Sequence, residues 1–556
     1  MLEWPRPVSR RNLALAVLVQ FAAMVSVCWL IGENGWDDGA ITLAFSRTFA
    51  HHGRVALTPR SETVEGFSSV AWFFLNALVA LARPSYHASI FIAQVLSALC
   101  ISATTLLLAR TCALLRLDKL SSTLTVLTFV GWGCSFAEAS NGMEMGLLAA
   151  AVLLIVNELL APRPRLPWLA TGVVLAVTSR FEAILYVGLL ALGARSVSGR
   201  RAFWAIVVAG SVTVLLLLGW RLAVFSDVLP NTFWAKRWPP YGTSGASNLL
   251  GRLAGVAELP RFFLPPLLAL MILRYRGFDV AAAWRSRRPA LWTLVAPALG
   301  AILIGGLTGQ PWGYHGRMPY FAFPLGLLAF ALLFSPWLEV PRRGSQLALA
   351  AGLCVLTSGL SILTGFPSGE LGTALAGGTF GVSPRTYAES GQVFRRFVAA
   401  AELPRPTILT PDLGGLALCC DEFRVVDLGL LSNRVLAHRG PTALADVLDA
   451  EAPDLIQAHW DWASTGHLYD LPSFRAHYLP AFAGGTKVWL RREVAQAIEA
   501  KGRGCRVPES KPELQQALRN HRYADHDRPE DRAAFEAPGV VLALDQPEPT
   551  GVNLCR

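Results

Sequence analysis

Two adjacent carboxylates, Asp37 and Asp38, follow a long apolar run by a few residues and are the first residues in the chain that could build a reaction centre. Like charges repel and desolvation raises their pKa values, so such a pair is costly at a membrane boundary. It is useful there if one aspartate takes a proton from an acceptor hydroxyl, or if both hold a metal or sugar hydroxyls. The plainer role is to cap the helix-like stretch that follows. Arg47, ten residues beyond Asp37, could return toward the same place. Glu62 and Glu65 precede an apolar segment, and Glu65-Gly66 puts a carboxylate where the chain turns. His51 and His52 lack metal-ligand spacing with any neighbour and read as loop residues.

Other polar residues are equally out of place among apolar neighbours. Glu138 and Glu144 sit at the mouths of two apolar runs, and an acid inside a membrane is a functional candidate by default. Arg180 and Glu182 divide two short apolar stretches, where they either bind each other or face one cavity. Two later segments are basic: SDVLPNTFWAKRW supplies Asn231, Lys236 and Arg237, and TGQPWGYHGRMPY supplies His315 and Arg317. Their cations would meet either anionic lipid headgroups or a lipid-linked phosphate held by charge-assisted hydrogen bonds. Carboxylates at one end of a cavity and a basic cradle at the other suit one chemistry. A phosphate-linked sugar passes to a hydroxyl, with a base on one side and a stabilised departing phosphate on the other.

Such residues need a framework to bring them together. The 556-residue chain is 53% apolar and only 16% charged, against roughly 25% charged for an ordinary globular chain. Residues 1–364 hold 29 basic and 15 acidic side chains, and residues 365–556 hold 20 and 24. The expected fold class is therefore a polytopic α-helical membrane region, 1–364, followed by a soluble mixed α/β domain, 365–556. A cytosolic enzyme and a secreted disulfide scaffold are excluded. Nucleic acid is not an expected partner either. The net charge of +10 lies in short clusters between apolar runs, the positive-inside pattern of a bilayer protein rather than a phosphate-tracking stripe.

Apolar runs at 12–31, 88–109, 120–136, 143–160, 166–178, 181–194, 203–224, 259–274, 289–307, 319–336 and 345–363 give eleven expected spans. If segment 66–82 lies along the membrane surface or re-enters, the arginine clusters fall on the cytoplasmic side. The N-terminus is then inside and the C-terminal domain outside, as in a multi-pass protein of a bacterial plasma membrane. The outer stretches become 32–87, 137–142, 225–258 and 308–318, which hold nearly all the candidate residues.

The tail begins with the Gly/Pro/Ser-rich GFPSGELGTALAGGTFGVSP and then alternates strand-like runs (TILT, FRVVDLG, KVWLRRE) with helix-like ones. Its last fifty or so residues, rich in charge and proline, are expected to be partly extended. Trp460, Trp462, Tyr469 and Tyr478 could stack on a glycan or fill the domain's core. Cys419, Cys420, Cys505 and Cys555 could form disulfides whose pairing spacing alone does not give.

The ordered series of motifs resembles the polytopic GT-C glycosyltransferases of the mycobacterial terminal β-(1→2)-arabinofuranosyltransferase type and their bacterial relatives. The first outer loop of that family is matched by DDGAITLAFSRTFAHHGRVALTPRSETVEGFSSVAW, which places the paired aspartates on Asp37 and Asp38, the helix arginine on Arg47 and the VEG(Y/F)(T/S) element on Val64 to Ser68. SNGME at Ser140 to Glu144, SRFE at Ser179 to Glu182 and LPNTFWAK at Leu229 to Lys236 match further elements. The late-loop arginine falls on Arg317, and PDLGG followed by RVVDLGLL, with Asp412 and Asp427, resembles the family's tail. The chain departs from the pattern at Gln310, where relatives carry an aspartate, and at Thr58-Pro59-Arg60, where they carry NPG.

The resemblance implies a glycosyltransferase that uses a polyprenyl-phosphate sugar, with arabinofuranose as the sugar, and an extracytoplasmic glycan or glycoprotein as acceptor. It implies Asp37 as the base or acceptor-orienting group with Asp38 as its partner. Lys236, Arg317 and Arg180 are expected on the donor phosphate, and Arg47, Glu65, Glu144, Asn231 and His315 on acceptor or sugar. No cofactor is called for with certainty: Asp37 and Asp38 could hold a divalent metal, although a phosphate leaving group among cations could depart without one. The competing expectations are a transporter or flippase of a lipid-linked sugar and a non-catalytic cell-envelope assembly protein.

Overall fold

A computed structural model describes residues 9–238, 277–308, 320–339, 344–365, 368–521, 528–548 and 552–555, with a few single residues that include Arg317. Among the described residues of the chain up to 365, most are helical. Ten helices cover its first part: α1 (Arg10–Ile31), α2 (Asp38–His52), α3 (Val70–Ala80), α4 (Tyr86–Leu114), α5 (Lys119–Val130), α6 (Gly133–Ser140), α7 (Met145–Leu160), α8 (Leu166–Ser179), α9 (Ala183–Val197) and α10 (Arg200–Phe225). Side chains fix several starts. Ser9, Ser69 and Ser85 each accept a backbone N–H of the first turn of α1, α3 and α4, and Asp118 accepts two at α5. Gly53, at φ 67°, ends α2 in the left-handed region that glycine adopts without strain.

The expected count of eleven spans is not met. Among the described residues three helices, α1, α4 and α10, are long and apolar enough to cross a membrane, and a fourth if α5 and α6 form one span bent by 40°. Three further helices, at Val280–Thr308, Ala322–Glu339 and Gly344–Gly365, cover later runs, while several other apolar runs form short helices. α3 has 11 residues, about 16 Å at 1.5 Å per residue, roughly half a bilayer core. α8 and α9 part at Arg180 to Glu182. The places where hydropathy is interrupted are the places where charged groups gather.

The soluble part carries a seven-stranded mixed sheet, in the order β2-β1-β3-β5-β4-β7-β6. Its strands are β1 (Thr407–Thr410), β2 (Arg424–Asp427), β3 (Leu455–Ile456), β4 (Tyr478–Ala483), β5 (Thr486–Arg491), β6 (Gly504–Pro508) and β7 (Val540–Leu544). The three strand-like runs of the sequence form β1, β2 and β5. β1 pairs in parallel with β2 and β3, while β5 runs antiparallel to β3 and β4. Alternate residues serve two cores: Ile408, Val425, Leu455 and Val488 join the membrane-side cluster, and Leu409, Val426, Ile456 and Trp489 pack on the other face. The last fifty residues are more ordered than their composition suggests. β6 and β7 complete the sheet there, and Cys505 is bonded to Cys555. The adjacent Cys419 and Cys420 form the second disulfide.

The glycine-rich linker also folds, with a helix at Ser368–Leu375. Glu370 in that helix accepts from Trp36 Nε1 at 2.9 Å, tying the linker to the first outer loop.

Candidate functional site

A cavity of about 380 Å³ lies between the helical region and the soluble domain. Six residues expected to act together line it: Asp37, Asp38, Glu144, Arg180, Lys236 and Arg317. The soluble domain supplies the opposite wall with Tyr387, Pro411, Asp412, His459 and Trp462.

The two aspartates have different surroundings. Asp37 stands at the N-terminus of α2 without capping it. Its carboxylate instead accepts the backbone N–H of Gly414 at 2.8 Å and of Gly415 at 2.7 Å. Both donors open a short helix, Gly414–Cys419, whose N-terminus favours a negative partner. Only glycine permits this approach: a Cβ on Gly414 would stand 2.7 Å from the Asp37 carboxylate, and one on Gly415 would stand 1.9 Å from the Pro384 carbonyl oxygen. Asp37 is 6% exposed. Burial pushes its carboxyl up to about 8, against the pull of the two N–H donors. Asp38 is ion-paired with Arg317 at 2.6 Å, and its side chain is 41% exposed. It is the carboxylate of the pair that a ligand can reach.

The cations also divide. Arg180, nearly buried where α8 ends, donates to Glu144 at 3.0 Å and to Glu182. Arg317 serves Asp38. Lys236 follows a five-residue helix, α11 (Asn231–Ala235). Its side chain forms no hydrogen bond or ion pair among the described residues, while its backbone N–H donates to the Thr232 carbonyl. Burial and the neighbouring Arg180 lower its pKa to about 8, so the site holds an ammonium poised to lose its proton. Such a cation is stabilised by an anionic ligand.

Three residues expected at the acceptor or sugar are used elsewhere. Glu65 forms a two-pronged ion pair with Arg221 of α10, at 2.6 and 2.9 Å, with both side chains buried. Arg47 donates to the carbonyl oxygens of Ala417 and Leu418, at the other end of the helix that holds Asp37. Asn231 donates to the Leu431 carbonyl at 2.8 Å, and its neighbour Thr232 reaches the cavity instead. Glu65 thus ties its loop to α10, and Arg47 and Asn231 tie theirs to backbone carbonyls of the C-terminal region. His315 lies outside the described residues. Glu65→Gln is expected to leave Arg221 buried without its charge partner and to cost about 3–5 kcal/mol, read as a lower unfolding midpoint in detergent. An unchanged midpoint would mean that the pair contributes nothing to stability.

Asp412, which the motif resemblance marks in PDLGG, lines the cavity, and beside it is His459, which sequence reasoning did not single out. Of the four aromatic residues weighed in the tail, Trp462 lines the cavity and the side chain of Trp460 lies outside the description. Tyr469 and Tyr478 pack into the domain, their hydroxyls donating to Asp531 and to the Pro453 carbonyl. Among the described residues no three His, Cys, Asp or Glu side chains are grouped as for a metal ion. Both Asp37 oxygens already accept backbone N–H groups, which does not suit a metal ligand.

Beside the cavity runs an apolar groove of about 740 Å³ between α3, α8 and α10. Val70 and Phe74 form one edge, Ala205, Ala209 and Trp220 another. Val70 is two residues from Ser68, which lines the cavity, so the groove and the charged site adjoin.

The helix-rich region and the mixed α/β region, with a charged cavity between them, share their fold with two solved proteins. ArnT from Cupriavidus metallidurans, solved with bound undecaprenyl phosphate, aligns over 85% of this chain and 97% of its own, with a TM-score of 0.51 and 14% identity. The oligosaccharyltransferase of Archaeoglobus fulgidus aligns over 91% of this chain and 81% of its own, at 0.50 and 10%. The arabinosyltransferase EmbB of Mycobacterium smegmatis reaches a TM-score of 0.36, which carries nothing about the sugar. No protein-family model and no curated protein matches the sequence. At these identities the likeness shows the fold, and not the mycobacterial arabinofuranosyltransferase family.

Proposed function

We propose that the protein is a glycosyltransferase that moves a sugar from a polyprenyl-phosphate donor to a hydroxyl of an extracytoplasmic glycan or glycoprotein. The observation that carries this reading is the cavity itself, which joins an accessible carboxylate to three cations beside an apolar groove. A polyprenyl chain suits the groove, and the donor phosphate suits Lys236 with Arg180 and Arg317. Asp38 takes the proton of the acceptor hydroxyl. The hydroxyl oxygen bonds to the anomeric carbon while the bond from that carbon to the phosphate oxygen breaks. The phosphate leaves with the electron pair, its new charge met by the cations. Asp37 holds the soluble domain against this centre. The motif resemblance favours arabinofuranose, and the fold of ArnT, whose structure contains undecaprenyl phosphate, is compatible with a donor of this class.

The test is transfer from radiolabelled polyprenyl-phosphoryl-arabinofuranose into acceptor-bearing membranes. Transfer by the wild type and not by Asp38→Asn supports the reading. Binding of the donor without any cleavage would overturn it in favour of a transporter. Ala209→Phe, which fills the groove, is expected to weaken binding of the long-chain donor at least tenfold and to spare a short-chain analogue. Equal losses for both would place the lipid elsewhere.

A further inference from the structure

The wall of the cavity contributed by the soluble domain differs in chemistry from the helical wall. Arg180, Lys236 and Arg317 all come from the helical region, and the soluble domain places no cation of its own among the lining residues. What it supplies instead is a buried carboxylate. Asp412 is 3% exposed, and its side chain meets a single partner among the described residues, His459 Nε2, at 3.1 and 3.2 Å from the two oxygens. An ionised carboxylate has about four lone-pair sites, and removing it from water is unfavourable unless hydrogen bonds fill them.

The pair is not required to join the strands that carry it. β1 and β3 are already paired through Ile408–Leu455 and Leu409–Ile456, and Thr410 bonds Gln457 just beyond. The turn that presents Asp412 is the same PDLGG turn whose glycines grip Asp37. One rigid segment therefore fixes the position of Asp412 relative to the two aspartates of the first outer loop. Trp462, half-buried, lines the same cavity.

We propose that Asp412, oriented by His459, is the acceptor subsite: it receives two neighbouring hydroxyls of an uncharged sugar, whose ring lies on Trp462. A vicinal diol offers two donors to the two oxygens of one carboxylate, and an indole face suits the C–H side of a sugar ring. Among the described residues this wall carries a carboxylate and no lysine or arginine, which disfavours an anionic acceptor. The subsite rests on the glycosyltransferase reading and assigns the acceptor half of the same cavity.

The experiment separates the two halves. Acceptor-bearing membranes are titrated at saturating radiolabelled donor, and polyprenyl phosphate binding is measured directly on the same purified variants. Asp412→Asn and Trp462→Ala are each expected to raise the acceptor amount for half-maximal transfer at least tenfold and to leave polyprenyl phosphate affinity within twofold. His459→Gln, which keeps a donor toward Asp412, is expected to lose less than His459→Ala. Unchanged acceptor half-saturation in Asp412→Asn and Trp462→Ala would overturn the subsite. A parallel loss of polyprenyl phosphate affinity would also overturn it, assigning the pair to the donor. If the wild type binds polyprenyl phosphate but transfers nothing, or binds nothing, the glycosyltransferase reading fails and the subsite falls with it.

Discussion

Asp38→Asn is expected to lower transfer by about 10²–10⁴-fold, the range lost with a general base, while polyprenyl phosphate still binds and the fold survives. Asp37→Asn should behave differently although the two residues are adjacent. Asparagine keeps one acceptor oxygen and turns an N–H₂ group toward the Gly414 or Gly415 N–H, so one buried donor loses its partner. That loss costs about 1–3 kcal/mol and loosens the soluble domain. The readouts are unfolding in detergent and protease cutting in the 365–384 linker, both sensitive to Asp37→Asn and not to Asp38→Asn. If Asp38→Asn transferred normally while Asp37→Asn was stable and inactive, the roles would be reversed.

The two substitutions should also differ with pH. Burial raises Asp37 from its ordinary 3.8 to about 8, so between those values the folded chain binds a proton that the unfolded chain does not. The resulting stability is fully present below about 4 and is lost as pH rises through 8. Wild-type unfolding midpoints should therefore fall across this window, and Asp37→Asn should flatten that part of the slope. An identical slope in both proteins would remove Asp37 from the explanation.

Lys236→Met carries the second large effect. The cavity's other two cations are already committed to Asp38, Glu144 and Glu182, so Lys236 is the charge that an incoming phosphate meets without first displacing a partner. Its loss should cost about 2–5 kcal/mol of donor affinity, roughly 30-fold or more. Because its pKa is lowered to about 8, polyprenyl phosphate binding should weaken as pH rises past that value. Lys236→Arg, charged throughout, should bind with little pH dependence in that range. Direct binding across the range decides the matter, and a flat wild-type profile with full affinity in Lys236→Met would exclude the lysine from the phosphate site.

The cavity's charged residues are legible in the sequence because polar groups interrupting apolar runs are conspicuous. Asp37, Asp38, Glu144, Arg180, Lys236 and Arg317 all stand out in this way, and all six line the cavity. Arg47, Glu65 and Asn231 stand out equally, yet they bind backbone carbonyls or another buried charge. Conspicuous polarity reveals that a partner must exist, not whether the partner is ligand or protein. Polarity marks neither Asp412 nor His459, because the tail has ordinary composition where neither is unusual; only the PDLGG motif points to Asp412. Hydropathy likewise locates apolar runs but overcounts spans, since α7, α8 and α9 are apolar yet too short to cross a membrane as straight helices.

The bonds from Asp37 to Gly414 and Gly415 join residues 377 and 378 positions apart. During synthesis the aspartate emerges long before its partners exist. At roughly 5–20 residues per second that interval is about 20–75 seconds. Throughout it, the helical bundle has half a cavity, open on the side that the soluble domain will later close. Synthesis must therefore pass Gly415 before the proposed reaction can begin, which keeps a shorter nascent chain from acting on lipid-linked sugar.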